Sequence, residues 1–127
     1  MGSSPDLQNS ATSSQYAYRS SMDRLSWSPR EKAIARKAFE RALDREFEAV
    51  IHGAQERAAN IKVPADLWKL EDYLTRSRKH IDDRYDYRYS VLPLVFADLI
   101  RKGRLQEEDL EGLSADKLKL ILGVARF

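Results

Sequence analysis

The sequence predicts an all-α protein, a long two-helix stem carrying a small two-helix head, paired with a second copy as an antiparallel dimeric helical bundle. Three features point there. A helix start at Ser28-Pro29 meets no break until about Asn60; a second helical period runs from Pro64 to about Arg84; two short apolar helical runs, 90–102 and 114–124, close the chain. The composition agrees, since 33% charged and 43% hydrophobic residues with few glycines and prolines suit a soluble, helix-rich chain of one domain plus a tail.

Residues 1–27 are serine-rich and poor in branched aliphatics, so they bury too little apolar area to offset ordering entropy and read as a flexible tail. The MGSSPD start misses a myristoylation pattern because Asp6 stands where Ser or Thr is required. Trp27 is placed to staple the start of the first helix, with Tyr16 and Tyr18 as occasional docking contacts of the tail.

The stem spans 28–89. Ser28 is its N-cap, Pro29 sits at N1, and Glu31 at N3 completes a capping box. Gly53 costs roughly 1 kcal/mol relative to alanine without stopping the helix. Leu43, Phe47, Val50, Ala54, Ala58 and Ile61 recur in steps of four and three, led in by Phe39 and widened by Ile51. Roughly thirty residues make a rod of about 45 Å, longer than the roughly 35 Å of a compact 100-residue globule. Part of the stripe would then stand in water, and a second chain covers it most economically. Phe47, Val50, Ile51, Ala54 and Ala58 are the expected dimer contacts.

Lys62-Val63-Pro64 makes the turn, and Asp66 lies near the positive end of the second helix. There Leu67, Leu70, Tyr73, Leu74, Ser77 and Ile81 share one stripe, while Trp68 points about 140° away from its centre. On the side of Trp68 stand Glu71, Asp72, Thr75, Arg78, Lys79 and Asp82. An indole on a charged face is either covered by the next element or by a second copy of the chain, or is a protein-binding anchor, since Trp and Arg dominate interface hot spots.

Tyr85-Asp86-Tyr87-Arg88-Tyr89 has the alternation of a single-strand stacking platform, but a helix connection with packed tyrosines accounts for it better. In the head, 90–127, Pro93 requires a helix start near Ser90, Gly103 ends that helix, and Ser114 caps the last one.

Little chemistry is on offer. With no cysteine there is no thiolate nucleophile, and there is no phosphate-cradling glycine loop. His80 and Asp83 share a face but lack a third ligand, and Asp82 points elsewhere, so no metal site, no cofactor and no enzyme are expected. His52, within the long helix, reads as a surface or part-buried residue. The 22 basic and 20 acidic residues are thoroughly mixed, which disfavours a nucleic-acid binder. No apolar run is long enough to span a bilayer, and the expected location is the cytoplasm.

Two stretches carry a resemblance. The run LWKLEDYL, then Arg78, then IDDRYDYRYSVLPLVFADLIRKGRL resembles the fluorescence recovery protein family of cyanobacteria and its fluorescence-recovery-like relatives, most specifically in YDYR-x-SVL-x-x-VFADL. The resemblance implies an all-helical homodimer with a long stem and a small head. It implies a partner, the photoactivated orange carotenoid protein, bound chiefly through its C-terminal domain. The family returns that protein from its red to its orange form and releases it from the phycobilisome, ending non-photochemical quenching; any thylakoid association is through the partner. The family's functional tryptophan, aspartate and arginine fall on Trp68, Asp72 and Arg78. Glu71 stands where a histidine is common, and Leu94, behind Pro93, where an aromatic is common. The alternatives are a relative that serves another protein in an organism without phycobilisomes and, more remotely, a nucleic-acid-binding helical protein.

Overall fold

The computed structural model describes residues 25–127, which form four α-helices and a 3₁₀ turn: α1 (Pro29–Ala59), α2 (Pro64–Arg84), α3 (Leu92–Arg101), the turn Glu107–Leu110 and α4 (Ala115–Ala125). The tail reading of residues 1–24, with Tyr16 and Tyr18, lies outside the described residues.

The start of α1 forms as its sequence predicts. Glu31 N donates to Ser28 Oγ at 3.1 Å, and Ser28 N donates to Glu31 Oε1 at 3.1 Å. The helix then runs 31 residues, about 46 Å at 1.5 Å per residue. Asp66 opens α2 by accepting from Lys62 N and Val63 N at 2.9 and 3.2 Å, and these backbone bonds lower its pKa. Pro93 lies in the first turn of α3, where its missing N–H has no helical partner to lose. Gly103 and Gly112 take φ of +76° and +104° where the chain leaves α3 and enters α4.

The core is not divided where the sequence suggested. It gathers Ala35, Ala38, Phe39 and Ala42 of α1 with Leu92, Phe96 and Leu99 of α3, Leu105, Leu110, Leu113 and Ile121. The first half of α1 therefore belongs with the head, and the free-standing stem is only its distal half with α2. On an ideal helix the buried alanine face lies roughly 110° from the Leu43–Phe47–Val50 stripe. Alanine let the head approach closely while adding little to the apolar signal.

Trp27 is also part of the head rather than of a tail. It is buried against Tyr89, ring centroids 5.4 Å apart, with Lys117 Nζ 5.0 Å from its ring. Lys117 in turn donates to Ser26 O at 2.6 Å and to both carboxylate oxygens of Glu31 at 3.1 and 3.2 Å. The same carboxylate accepts from Ser114 N at 2.9 Å. One residue thus caps two helices and neutralises a buried ammonium. Its pKa falls to about 2, first through the Ser28 backbone bond, against the opposing cost of burial.

Between the stem helices, the Tyr73 hydroxyl donates to Val50 O at 3.3 Å directly over Gly53, and Arg57 stacks on its ring at 3.8 Å. A Cβ at Gly53 would overlap that hydroxyl and come 2.7 Å from the ring. Gly53 is the price of close helix contact and not an accident of composition.

Candidate functional site

Head and stem are joined at Glu46 of α1. Tyr85 donates its hydroxyl to Glu46 Oε1 at 3.1 Å and lies 3.2 Å from Ala42 O. Arg104 Nε approaches Glu46 to 3.2 Å, and Arg84 bridges Glu46 and Asp98 at 3.7 and 3.5 Å. Burial, with the Glu46 charge, pushes the Tyr85 phenol up. Asp109 accepts from Arg45 at 2.8 Å and Arg41 at 3.1 Å; burial would raise its carboxyl, but these bonds and that from Gln106 N hold it at about 2. Tyr87 and Tyr89 close the joint from the other side, with Arg36 3.9 Å from the Tyr87 ring centroid and Lys32 5.3 Å from that of Tyr89. With Phe39 edge-on to Tyr85 and Tyr87, these tyrosines are packing elements, and their faces are not open for base stacking.

That joint sets the direction in which α2 leaves the head. Tyr73 turns its hydroxyl to α1, which directs Trp68 to the opposite side, 64% exposed. One turn further, Glu71 and Asp72 are exposed beside it, and Asp72 pairs with Arg76 at 3.0 Å. Arg78 is exposed and, among the described residues, forms no ion pair. Leu94 lies apart from this group, on α3, lining a notch with His80, Asp83 and Lys102. Trp68, Glu71, Asp72 and Arg78 therefore share one helix, while Leu94 belongs to a neighbouring surface. Among the described residues no three His, Cys, Asp or Glu side chains converge on one point, and none of the helices is long and apolar enough to cross a membrane.

The two stem helices present a third face. The stripe on α2 that the sequence presented as core-facing is only partly covered: Leu67 and Leu74 remain 48% and 44% exposed, and no residue of α2 is fully buried. On α1, Phe47 and Ile51 are 47% and 55% exposed, Ala58 is exposed, and Val50 and Ala54 are half-buried. Phe47, Val50, Leu74, Ser77 and Ile81 line a groove of about 420 Å³ with Arg78 and Asp82 at its rim. Isolated exposed apolar side chains are ordinary, but a continuous apolar strip along two helices marks a contact surface.

Three features that sequence reading passed over position this site: the alanine face, Gly53 against Tyr73, and Glu46. A glycine inside an uninterrupted helix was the one visible hint of close approach.

Comparison with known proteins supplies the rest. The family described as photoprotection regulator fluorescence recovery protein matches residues 27–125. The fluorescence recovery protein of Synechocystis sp. PCC 6803 is 41% identical over 100 residues, which cover 79% of this chain and 92% of that protein. The solved structure of the Fremyella diplosiphon fluorescence recovery protein matches with a TM-score of 0.77 at 42% identity, over 80% of this chain and all of that one. The Synechocystis structure gives the same TM-score at 40% identity and the same coverage. The chain belongs to the fluorescence recovery protein family of photoprotection regulators.

Proposed function

We propose that this protein is a homodimeric, non-enzymatic regulator that binds the photoactivated orange carotenoid protein through that protein's C-terminal domain. It accelerates the return from red to orange and the release from the phycobilisome, and it works in the cytoplasm. The observation that carries this reading is the outward-facing Trp68, with exposed Asp72 one turn on and exposed Arg78 further along the same helix; the family resemblance matches these three to its functional tryptophan, aspartate and arginine. Glu71 adds to that face, and Leu94, on the neighbouring surface of the head, is the proposed contact for the target's second domain. Two copies meet through Phe47, Val50, Ile51, Ala54 and Ala58, which removes the apolar strip from water.

No bond chemistry is needed. A protein that binds the compact resting form of its target more tightly than the opened form shifts the equilibrium by that difference. Holding the two target domains together also speeds the closing step itself. The test is to add purified protein to photoconverted orange carotenoid protein and follow dark recovery by absorbance. Acceleration is expected; none at stoichiometric excess would refute the assignment. Glu71, a fixed negative charge where a titratable ring is common, favours as second reading a relative that serves a different protein partner in an organism without phycobilisomes.

A further inference from the structure

The aromatic rings of this protein are not treated alike. Trp27, Tyr73, Tyr87 and Tyr89 each have a lysine or arginine of the same chain over the ring. Trp68 has none among the described residues, although indole is the best of the three rings for holding a cation. Its helical neighbours explain why. The residues three and four positions before it are Ala65 and Pro64, and those three and four after it are Glu71 and Asp72. Every charge within reach of the ring along its own helix is negative. Glu71 is exposed and has no ion-pair partner among the described residues, while Asp72 holds only the exposed Arg76.

From this we infer that the Trp68 face recognises an arginine side chain of the partner protein, its guanidinium stacked on the indole and bonded to the Glu71 carboxylate, with Asp72 adding charge. The inference rests on the reading of this face as the docking surface and specifies the chemistry that it takes. An exposed indole beside a free carboxylate complements a planar cation that both stacks and donates in a fork, which favours arginine over lysine. The face also has a polarity. Arg78 lies ten residues on, about 15 Å along the axis, so an acidic group of the partner belongs there. A partner with a basic and an acidic residue at that separation docks in one direction only, because the reversed orientation sets like charges together.

The test uses the two indole N–H signals of the ¹⁵N-labelled full-length protein, with buried Trp27 as internal control. The probes are the blocked peptide acetyl-Gly-Arg-Gly-amide and its citrulline counterpart, which keeps the shape and loses the charge. The arginine peptide should move the Trp68 signal saturably and leave Trp27 in place. Citrulline should bind roughly fivefold more weakly, and Glu71→Gln should weaken arginine binding roughly two- to fivefold, as expected for one exposed charge contact. Equal response to both peptides, indifference to Glu71→Gln, or no shift at tens of millimolar would overturn the inference. The docking surface itself is judged separately: if Trp68→Ala abolishes acceleration of carotenoid-protein recovery while the peptides behave alike, only the arginine inference falls.

Discussion

The replacement Glu31→Gln tests how the head is fastened to the long helix. The side chain keeps its size, but it no longer carries the charge that receives Ser28 N, Ser114 N and Lys117 Nζ within 2.9–3.2 Å. Lys117, 4% exposed, is left with the Ser26 carbonyl and a neutral amide. Holding a carboxyl at about 2 in place of 4.5 corresponds to about 3 kcal/mol of folding stability at neutral pH. Because the folded value is the lower one, this contribution is complete above pH 4.5 and is lost as pH falls from there through about 2. Urea unfolding followed by circular dichroism, at one fixed protein concentration because the proposed association would add to stability, should show the variant about 2–3 kcal/mol weaker at pH 7. The gap should close as pH falls towards 2. Wild type and variant should share the residual acid sensitivity supplied by Asp109, which is also held at about 2. Adding Lys117→Met to Glu31→Gln should recover much of the loss by removing the stranded ammonium. A deficit under 1 kcal/mol at pH 7, or one that is the same at every pH, would refute the reasoning.

Three further outcomes follow from the stem. Gly53→Ala should destabilise by about 1 kcal/mol in thermal or urea unfolding, because overlap with Tyr73 outweighs the helix-propensity gain, and Tyr73→Ala in the same chain should reverse the sign of the Gly53→Ala effect. Phe47→Asp should give a monomer by light scattering with helicity retained, since the side chain is 47% exposed within its own protomer. Trp68→Ala should change stability by less than about 0.5 kcal/mol, yet weaken partner binding at least tenfold in a titration with photoconverted carotenoid protein.

The local signals in the sequence were strong because they are chemical and short-range. Ser28-Pro29-Glu31, Pro64-Asp66, Pro93, Gly103 and Ser114 place helix ends where the structure has them. Angular spacing set Trp68 opposite the apolar stripe but left open whether another element covers it; its 64% exposure is visible only in the structure. What stayed hidden is long-range. The head docks on Ala35, Ala38 and Ala42, whose small side chains leave no hydrophobic peak, so the larger Phe47 stripe carries the stronger apolar signal in the sequence. Lys117 reads as one more surface charge unless Glu31, far earlier in the chain, is known to face it. Glu46 had the same obscurity, because its partners Arg84, Tyr85 and Arg104 all come from the second half of the chain.

The two faces of α1 divide the labour of the fold. Up to Glu46 the helix is covered by its own head; beyond it, a 46 Å rod has outrun the globule, and Phe47 and Ile51 are left in water. On α2 the matching apolar residues, Leu67 and Leu74, lie about 100–120° around the helix from Trp68. A second copy laid on that strip, as proposed, would therefore approach from a side about 100–120° away from the indole and would leave it open. Had Trp68 belonged to the Leu67–Leu74 stripe, pairing would have buried the very group proposed to meet a partner. The angular offset would let the proposed self-association complete the stem while the proposed binding face stays open, and Gly53, by letting Tyr73 seat directly over α1, sets the rotation of α2 on which this depends.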